Sequence, residues 1–275
     1  MSILSAFLEL LMALLLLRLL IRPAQAYFHP LYGLLYRVTD PLLLPSRYLT
    51  RTAVQGILLT VAALAVIRGG LYSVSPSVGL AAGVGQSLVD LIELVFQAYM
   101  VFWVVAVLGG GSYGAPFGQM LARAFLPLDA ILGKLGMGRA KILPGSFFLL
   151  LVLYVLSSTA VRALLMIQDV PSVGLILAAL AEGLLLFIGL FPLPGFFSLV
   201  LIVGALLSWV SPDPRNPVVQ AIYGISEPLL APFRRFVPTL GGIDLSPMVA
   251  LLAFQFLGAA AQRLVLELFR MASAG

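Results

Sequence analysis

The stretch Ile3-Leu-Ser-Ala-Phe-Leu-Glu-Leu-Leu-Met-Ala-Leu-Leu-Leu-Leu-Arg-Leu-Leu-Ile21 carries two charges, Glu9 and Arg18, in 19 residues. As an α-helix it would rise about 28 Å, close to the roughly 30 Å hydrocarbon core of a bilayer. Five further apolar stretches follow: Ala53–Val66, Ser87–Leu108, Ser146–Ile167, Val173–Val210 and Pro247–Phe269. Together they predict an all-α polytopic membrane protein with about six transmembrane helices. Composition agrees: of 275 residues, 61% are apolar and 10% charged. The mean hydropathy of +1.11 is far from that of a soluble domain. The fifth stretch is too long for one span, and Pro192-Leu193-Pro194-Gly195 must break or kink it. Either Phe196–Val210 spans with Val173–Phe191 tilted or interfacial, or both halves span.

The absence of cysteine excludes disulfide scaffolds, thiol catalysis and cysteine-based metal sites. The single histidine, His29, offers at most one axial ligand, so no metal site or two-histidine haem site is expected of one chain. Asp90 and Glu93 share a helix face but lack a nucleophile or a metal-binding partner, so no catalytic residue and no cofactor is assigned. A net charge of +5 without a Lys/Arg run predicts no nucleic-acid contact. Ala24-Gln25-Ala26 imitates a secretory cleavage site, but Glu9 interrupts the apolar run and Arg18 and Arg22 lie at its far end. That is the reverse of signal-peptide charge order, and an uncleaved helix is expected.

Eleven Lys and Arg residues fall in 22–51, 109–143 and 211–244, and none falls in 69–86 or 168–172. The positive-inside rule then places the three long loops in the cytoplasm of an inner (plasma) membrane protein, with both termini outside.

The chain repeats itself. An offset of 187 lays Pro30, Tyr36, Pro41, Leu42, Leu43, Pro45 and Arg47 on Pro217, Tyr223, Pro228, Leu229, Leu230, Pro232 and Arg234. An offset of 101 gives a fainter middle copy through Pro116, Pro127, Leu128 and Arg162. Three helix–loop–helix units in one orientation result: 1–72, 78–168 and 173–275. The third loop, from Pro217 to Pro228, is apolar at helical spacing through Val218, Ile222, Ile225 and Leu229. It is expected to form an amphipathic helix on the inner leaflet, started by Pro217 and ended by Pro228. Arg234 and Arg235 would then lie at phosphate depth. Gly241-Gly242 permits a tight turn, and Asp244-Leu245-Ser246-Pro247 reads as a helix start capped by Ser246. A capped re-entry with no binding role is the competing reading of this loop.

Glu227-Pro228-Leu-Leu-Ala-Pro232-Phe-Arg234-Arg235-Phe-Val-Pro, with Gly241-Gly242-Ile-Asp244-Leu-Ser246-Pro247, resembles the signature of YggT family integral membrane proteins. The likeness is specific in the third unit and good in the first loop, up to Arg47. There, Tyr48-Leu49-Thr50-Arg51 replaces the Gly-Gly turn. The middle unit is only suggestive. The residues themselves predict a non-enzymatic protein, and the resemblance implies one linked to osmotic and envelope stress, with a proposed role in potassium uptake. Plastid and cyanobacterial relatives imply cytochrome haem assembly and membrane or nucleoid organisation.

Charges inside lipid are functional candidates by default. Glu9 and Glu93 stand in the outer parts of first helices, and Arg68 and Arg162 in those of second helices. Their heights suit ion pairs. Arg263 fits the same layer, whereas Glu182 reaches it only if the Pro192–Pro194 break folds it back. Packing pairs, an ion or proton path, and outward snorkelling are the readings. Gly79-x-x-x-Gly83 and Gly258-Ala-Ala-Ala261 are the small-residue packing candidates. Function divides into an assembly or scaffold protein working through its loops, and an ion-homeostasis protein working through the Glu/Arg layer. Expected partners are anionic headgroups and a membrane or cytoplasmic division or assembly partner, with a homo-oligomer also allowed.

Overall fold

A computed structural model describes residues 3–24, 30–74, 78–109, 115–136, 139–165, 172–210, 213–237 and 244–274. His29, Gly241, Gly242 and residues 110–114 lie outside them. The described residues form the helices α1 (Ile3–Leu20), α2 (Pro30–Arg47), α3 (Ala53–Tyr72), α4 (Leu80–Gly109) and α5 (Ala115–Lys134). They continue as α6 (Arg139–Leu165), α7 (Ser172–Ile188), α8 (Phe196–Val210), α9 (Pro217–Arg234) and α10 (Ser246–Ala274). By length and composition α1, α3, α4, α6 and α10 can each cross a membrane, and α7 and α8 are shorter apolar helices. The chain is therefore an all-α polytopic membrane protein, as expected, with five full-length candidate spans and two shorter apolar helices among the described residues.

The chain divides into two compact units. The first holds residues 1–96 and 152–175. In it α1, α2 and α3 pack on one another around Met12, Leu15, Leu43, Ile57, Val61 and Ala65. In lipid such packing gains little from the hydrophobic effect and depends on close van der Waals fit. Glycines provide that fit between α3 and α4. A Cβ on Gly69 would stand 2.5 Å from Val84 Cα, and one on Gly83 would strike the Gly69 carbonyl. Gly79 of the same stripe faces open space. This contact explains why α4 begins at Leu80, seven residues before the expected Ser87, and why α3 runs to Tyr72 instead of Val66.

The second unit holds residues 97–151 and 176–275. There α8, α9 and α10 pack on one another. Trp103, Phe147, Phe187, Phe191, Phe254 and Phe233 form a chain of rings with centroids 5.1–6.2 Å apart. The long fifth apolar stretch is broken where expected, between α7 and α8. The Gly195 N–H closes a turn on the Pro192 carbonyl, and the Phe197 N–H returns to the Leu190 carbonyl. The Ser198 hydroxyl donates to the Phe191 carbonyl. Gly258 of the second small-residue stripe lies against the Pro192 ring.

Pro228 does not end α9. The helix runs through Pro228 and Pro232 to Arg234, as α2 runs through Pro41 and Pro45 to Arg47. An interior proline costs a helix roughly 3 kcal/mol when nothing else holds it. Here burial holds it: Thr39 and Leu43 of α2, and Ser226, Leu229 and Leu230 of α9, are buried. On α9 Val219, Leu229 and Leu230 are buried, Ile222 and Ile225 are half-buried and Val218 is exposed.

Candidate functional site

Two kinds of charged cluster emerge, one at the ends of the amphipathic helices and one inside the candidate spans. The first kind is built locally. Asp40 accepts from Arg47 at 2.9 Å, seven residues along α2. Glu227 is ion-paired with Arg234, again seven residues along. Each pair spans two turns and both prolines of its helix, and so bridges the backbone gap left by the second proline, Pro45 in α2 and Pro232 in α9.

Each cluster then recruits a neighbouring element. Arg18, at the end of α1, donates to Thr39 Oγ1 at 2.7 Å and Asp40 Oδ1 at 2.9 Å, and its guanidinium stacks 4.0 Å from the Tyr36 ring centroid. At the end of α9 Arg234 Nε donates to Asp244 Oδ2 at 2.9 Å, and Asp244 Oδ1 accepts the Ser246 N–H at 2.9 Å. Asp244, not Ser246, is therefore the side chain that caps α10; the Ser246 hydroxyl is buried and has no hydrogen-bond partner among the described residues. An aspartate two residues before the helix reaches the first free N–H with less strain than a serine already inside it. Pro247 follows at the second helical position, and Asn216 caps α9 ahead of Pro217.

These contacts change the meaning of the signature. Glu227, Arg234 and Asp244 form an internal clamp that ties the end of α9 to the start of α10. Pro228 and Pro232 stand between its two α9 members. Arg47 is likewise engaged within the chain. Hydrogen bonding to Glu227 holds the Arg234 pKa above its ordinary value. Burial works to raise the Asp244 carboxyl, yet the hydrogen bonds from Ser246 and Arg234 outweigh it and leave it below the ordinary value. Arg235 is exposed at the helix end, and Phe236 beside it is 85% exposed.

The second kind of cluster is long-range. Arg68, with 0% exposure, donates from Nη2 to Glu9 Oε2 at 2.8 Å and lies 3.0 Å from Asp90 Oδ2. Asp90 also accepts from the Tyr72 hydroxyl and from Gln86 Nε2, each at 2.7 Å. Arg68 Nε and Nη1 and the buried Ser87 hydroxyl have no hydrogen-bond partner among the described residues. The Gly69–Gly83 contact favours this arrangement, because it brings α3 and α4 close right beside Arg68 and about two turns before Asp90. Arg162 meets Glu93 at 3.9 Å, the limit of an ion pair. Arg263 lies exposed on α10, and no ion pair among the described residues joins it to Glu182.

Sequence reasoning brought Glu9 to Arg68 and Glu93 to Arg162, but it missed Asp90 and Arg18. Asp90 precedes Glu93 by three residues, and a second acid so near in one apolar helix was the available signal. The set is rich in carboxylate and guanidinium. Among the described residues no group of three or more His, Cys, Asp and Glu could hold a metal ion.

The CCB3/YggT family model matches residues 183–265, the stretch from α7 through α9 into α10 that contains the clamp. Over 61 residues the chain is 49% identical to an uncharacterized protein of Pseudomonas aeruginosa, covering 22% of this chain and 31% of that one. It is 32% identical over 178 residues to an uncharacterized protein from the proC 3′ region of Vibrio alginolyticus, covering 62% of this chain and 91% of that one. It is 35% identical over 137 residues to the uncharacterized protein YggT of Escherichia coli K12, covering 50% of this chain and 67% of that one. No solved structure matches.

Proposed function

Because the chain belongs to the CCB3/YggT family, we propose that it is a non-enzymatic membrane assembly or envelope-organising protein whose working surface is its amphipathic helices. In this reading α2, α5 and α9 lie on the cytoplasmic side of the inner membrane, where the basic residues concentrate. One observation carries it. Directly after its ion-paired arginine, each of α2 and α9 ends in large exposed side chains: Tyr48 and Leu49 after Arg47, Arg235 and Phe236 after Arg234. The clamps hold the helices and turn these tips outward, where an aromatic or aliphatic group and a guanidinium suit an anionic headgroup layer or a partner docked on it. Arg234 is committed inside the clamp, so Arg235 is the residue that meets phosphate.

The test uses the full chain in detergent. Added anionic phospholipid is expected to raise its melting temperature more than a zwitterionic lipid does. Arg235→Glu with Phe236→Ser removes that difference while leaving the starting melting temperature unchanged. An equal response to both lipids in the parent chain refutes the lipid-facing role. The second reading, ion homeostasis, draws on the buried Arg68 cluster. Potassium flux into proteoliposomes that Glu9→Gln abolishes would favour it over the first.

A further inference from the structure

The charges inside the candidate spans do not balance within each compact unit. In the first, two guanidiniums, Arg68 and Arg162, face three carboxylates, Glu9, Asp90 and Glu93. In the second, Arg263 is exposed on α10 among exposed Leu264, Phe256 and Leu257. A charge within a span normally faces protein or water and pairs. The two helices that carry the surplus are also the least covered: in the 18-residue apolar stretch of each candidate span, 17% of α1 and 11% of α10 is buried, against 22–33% in the others. Glu9 has room for a second cation. Its side chain is 31% exposed. Only its Oε2 is bonded to Arg68, and Oε1 accepts no hydrogen bond among the described residues.

We infer that α10 of one copy docks on α1 of a second copy, with Arg263 donating to Glu9 of its neighbour. This rests on the expected common orientation of the helix–loop–helix units, in which α1 runs toward the side of α2 and α9 and α10 runs away from it, not on lipid or partner binding by α2 and α9. The heights agree. Counted from the helix ends next to α2 and α9, Glu9 stands about 17 Å up and Arg263 about 26 Å. Arg68, at about 23 Å, already bridges about 6 Å of that offset to reach Glu9. It does so because side chains lean toward the helix N-terminus and the two helices run in opposite directions. The remaining offset of about 3 Å is the rise of two helical residues, within reach of an extended arginine side chain. The contact is heterologous, α10 of one copy on α1 of the next, so it propagates into a ring or a row and not into a closed two-fold dimer.

The chain has no cysteine, which makes cross-linking clean. Ala6 and Ala260 are exposed, and both stand at about 21 Å. Differently tagged full-length chains, one carrying Ala6→Cys and the other Ala260→Cys, are co-reconstituted in neutral-lipid vesicles and oxidised. The expected product is a mixed dimer, and a chain carrying both cysteines gives a ladder of larger species. Arg263→Leu lowers the mixed-dimer yield about tenfold, and Arg263→Lys restores part of it. Circular dichroism on each variant verifies helix content, and Arg263, exposed in the single chain, is replaceable without loss of fold. Three results would overturn the inference: no mixed dimer from folded protein, an equally strong dimer from Ala260→Cys alone, or a yield insensitive to Arg263→Leu.

Discussion

The modules α1–α2–α3 and α8–α9–α10 share a packing scheme and a local device, and they differ in what each device recruits. In both, an acid and an arginine seven residues apart brace a helix with two internal prolines. The first adds a second cation, Arg18, from the preceding helix. The other adds a second acid, Asp244, from just ahead of the following helix. The contrast continues inside the spans, where Arg68 of the first module is buried between Glu9 and Asp90 of the adjoining α4 and Arg263 of the other module is exposed. The brace is written into the helix and recurs. The recruited partner belongs to another element and is free to differ.

The sharpest way to break this comparison is to neutralise the buried arginine. Arg68→Gln leaves Glu9 and Asp90 without their cation and is expected to cost roughly 3–5 kcal/mol, read as a lowered melting temperature in detergent. Adding Glu9→Gln and Asp90→Asn should recover much of that loss, since the three groups act as one unit. Arg263→Leu should stay within about 0.5 kcal/mol of the parent. Glu93→Gln falls between, because its pair with Arg162 is long at 3.9 Å. Equal losses from Arg68→Gln and Arg263→Leu would erase the distinction between the modules.

Backbone approach gives a middle-sized effect. Gly69→Ala drives a Cβ to 2.5 Å from the Val84 backbone and should cost about 1–3 kcal/mol. Gly204→Ala, in the third module, meets the Ser226 side chain at 3.0 Å. It should cost less, because a hydroxyl can turn away where a backbone cannot. Gly70→Ala, with nothing nearby, should be neutral or stabilising by up to about 1 kcal/mol. Thermal melts of the three variants order the two interfaces by rigidity.

The smallest effect tests the clamp. The folded Asp244 carboxyl titrates below its ordinary value, so its contribution is complete above the unfolded pKa and is lost as pH falls through the folded one. Asp244→Asn should cost about 0.5–1 kcal/mol at neutral pH, a figure already reduced for partial exposure. The parent and variant melting curves should then converge in acid. A gap that persists below that range would mean the aspartate acts through packing and not through its charge.

Composition and apolar run length were enough to read an all-α membrane protein, because lipid demands long apolar helices whatever their neighbours. The break at Pro192–Gly195 and the Glu9–Arg68 and Glu93–Arg162 pairs were legible too, since a proline acts on its own backbone and a charge in lipid needs its opposite. Other features depended on what lay across the interface. Pro228 stays helical because Leu229 and Leu230 are buried and Arg234 reaches Glu227. Asp90 joins Arg68 because Gly69 and Gly83 let two helices close to contact distance. Arg234 turns inward because Asp244 waits at the start of the next helix. Propensity, period and solvent preference belong to a residue and its neighbours along the chain, so the sequence by itself determined the helices and their membrane character. Burial and charge pairing belong to residues far apart in it, and only the tertiary structure decided which charges are enclosed and which are left to face outward.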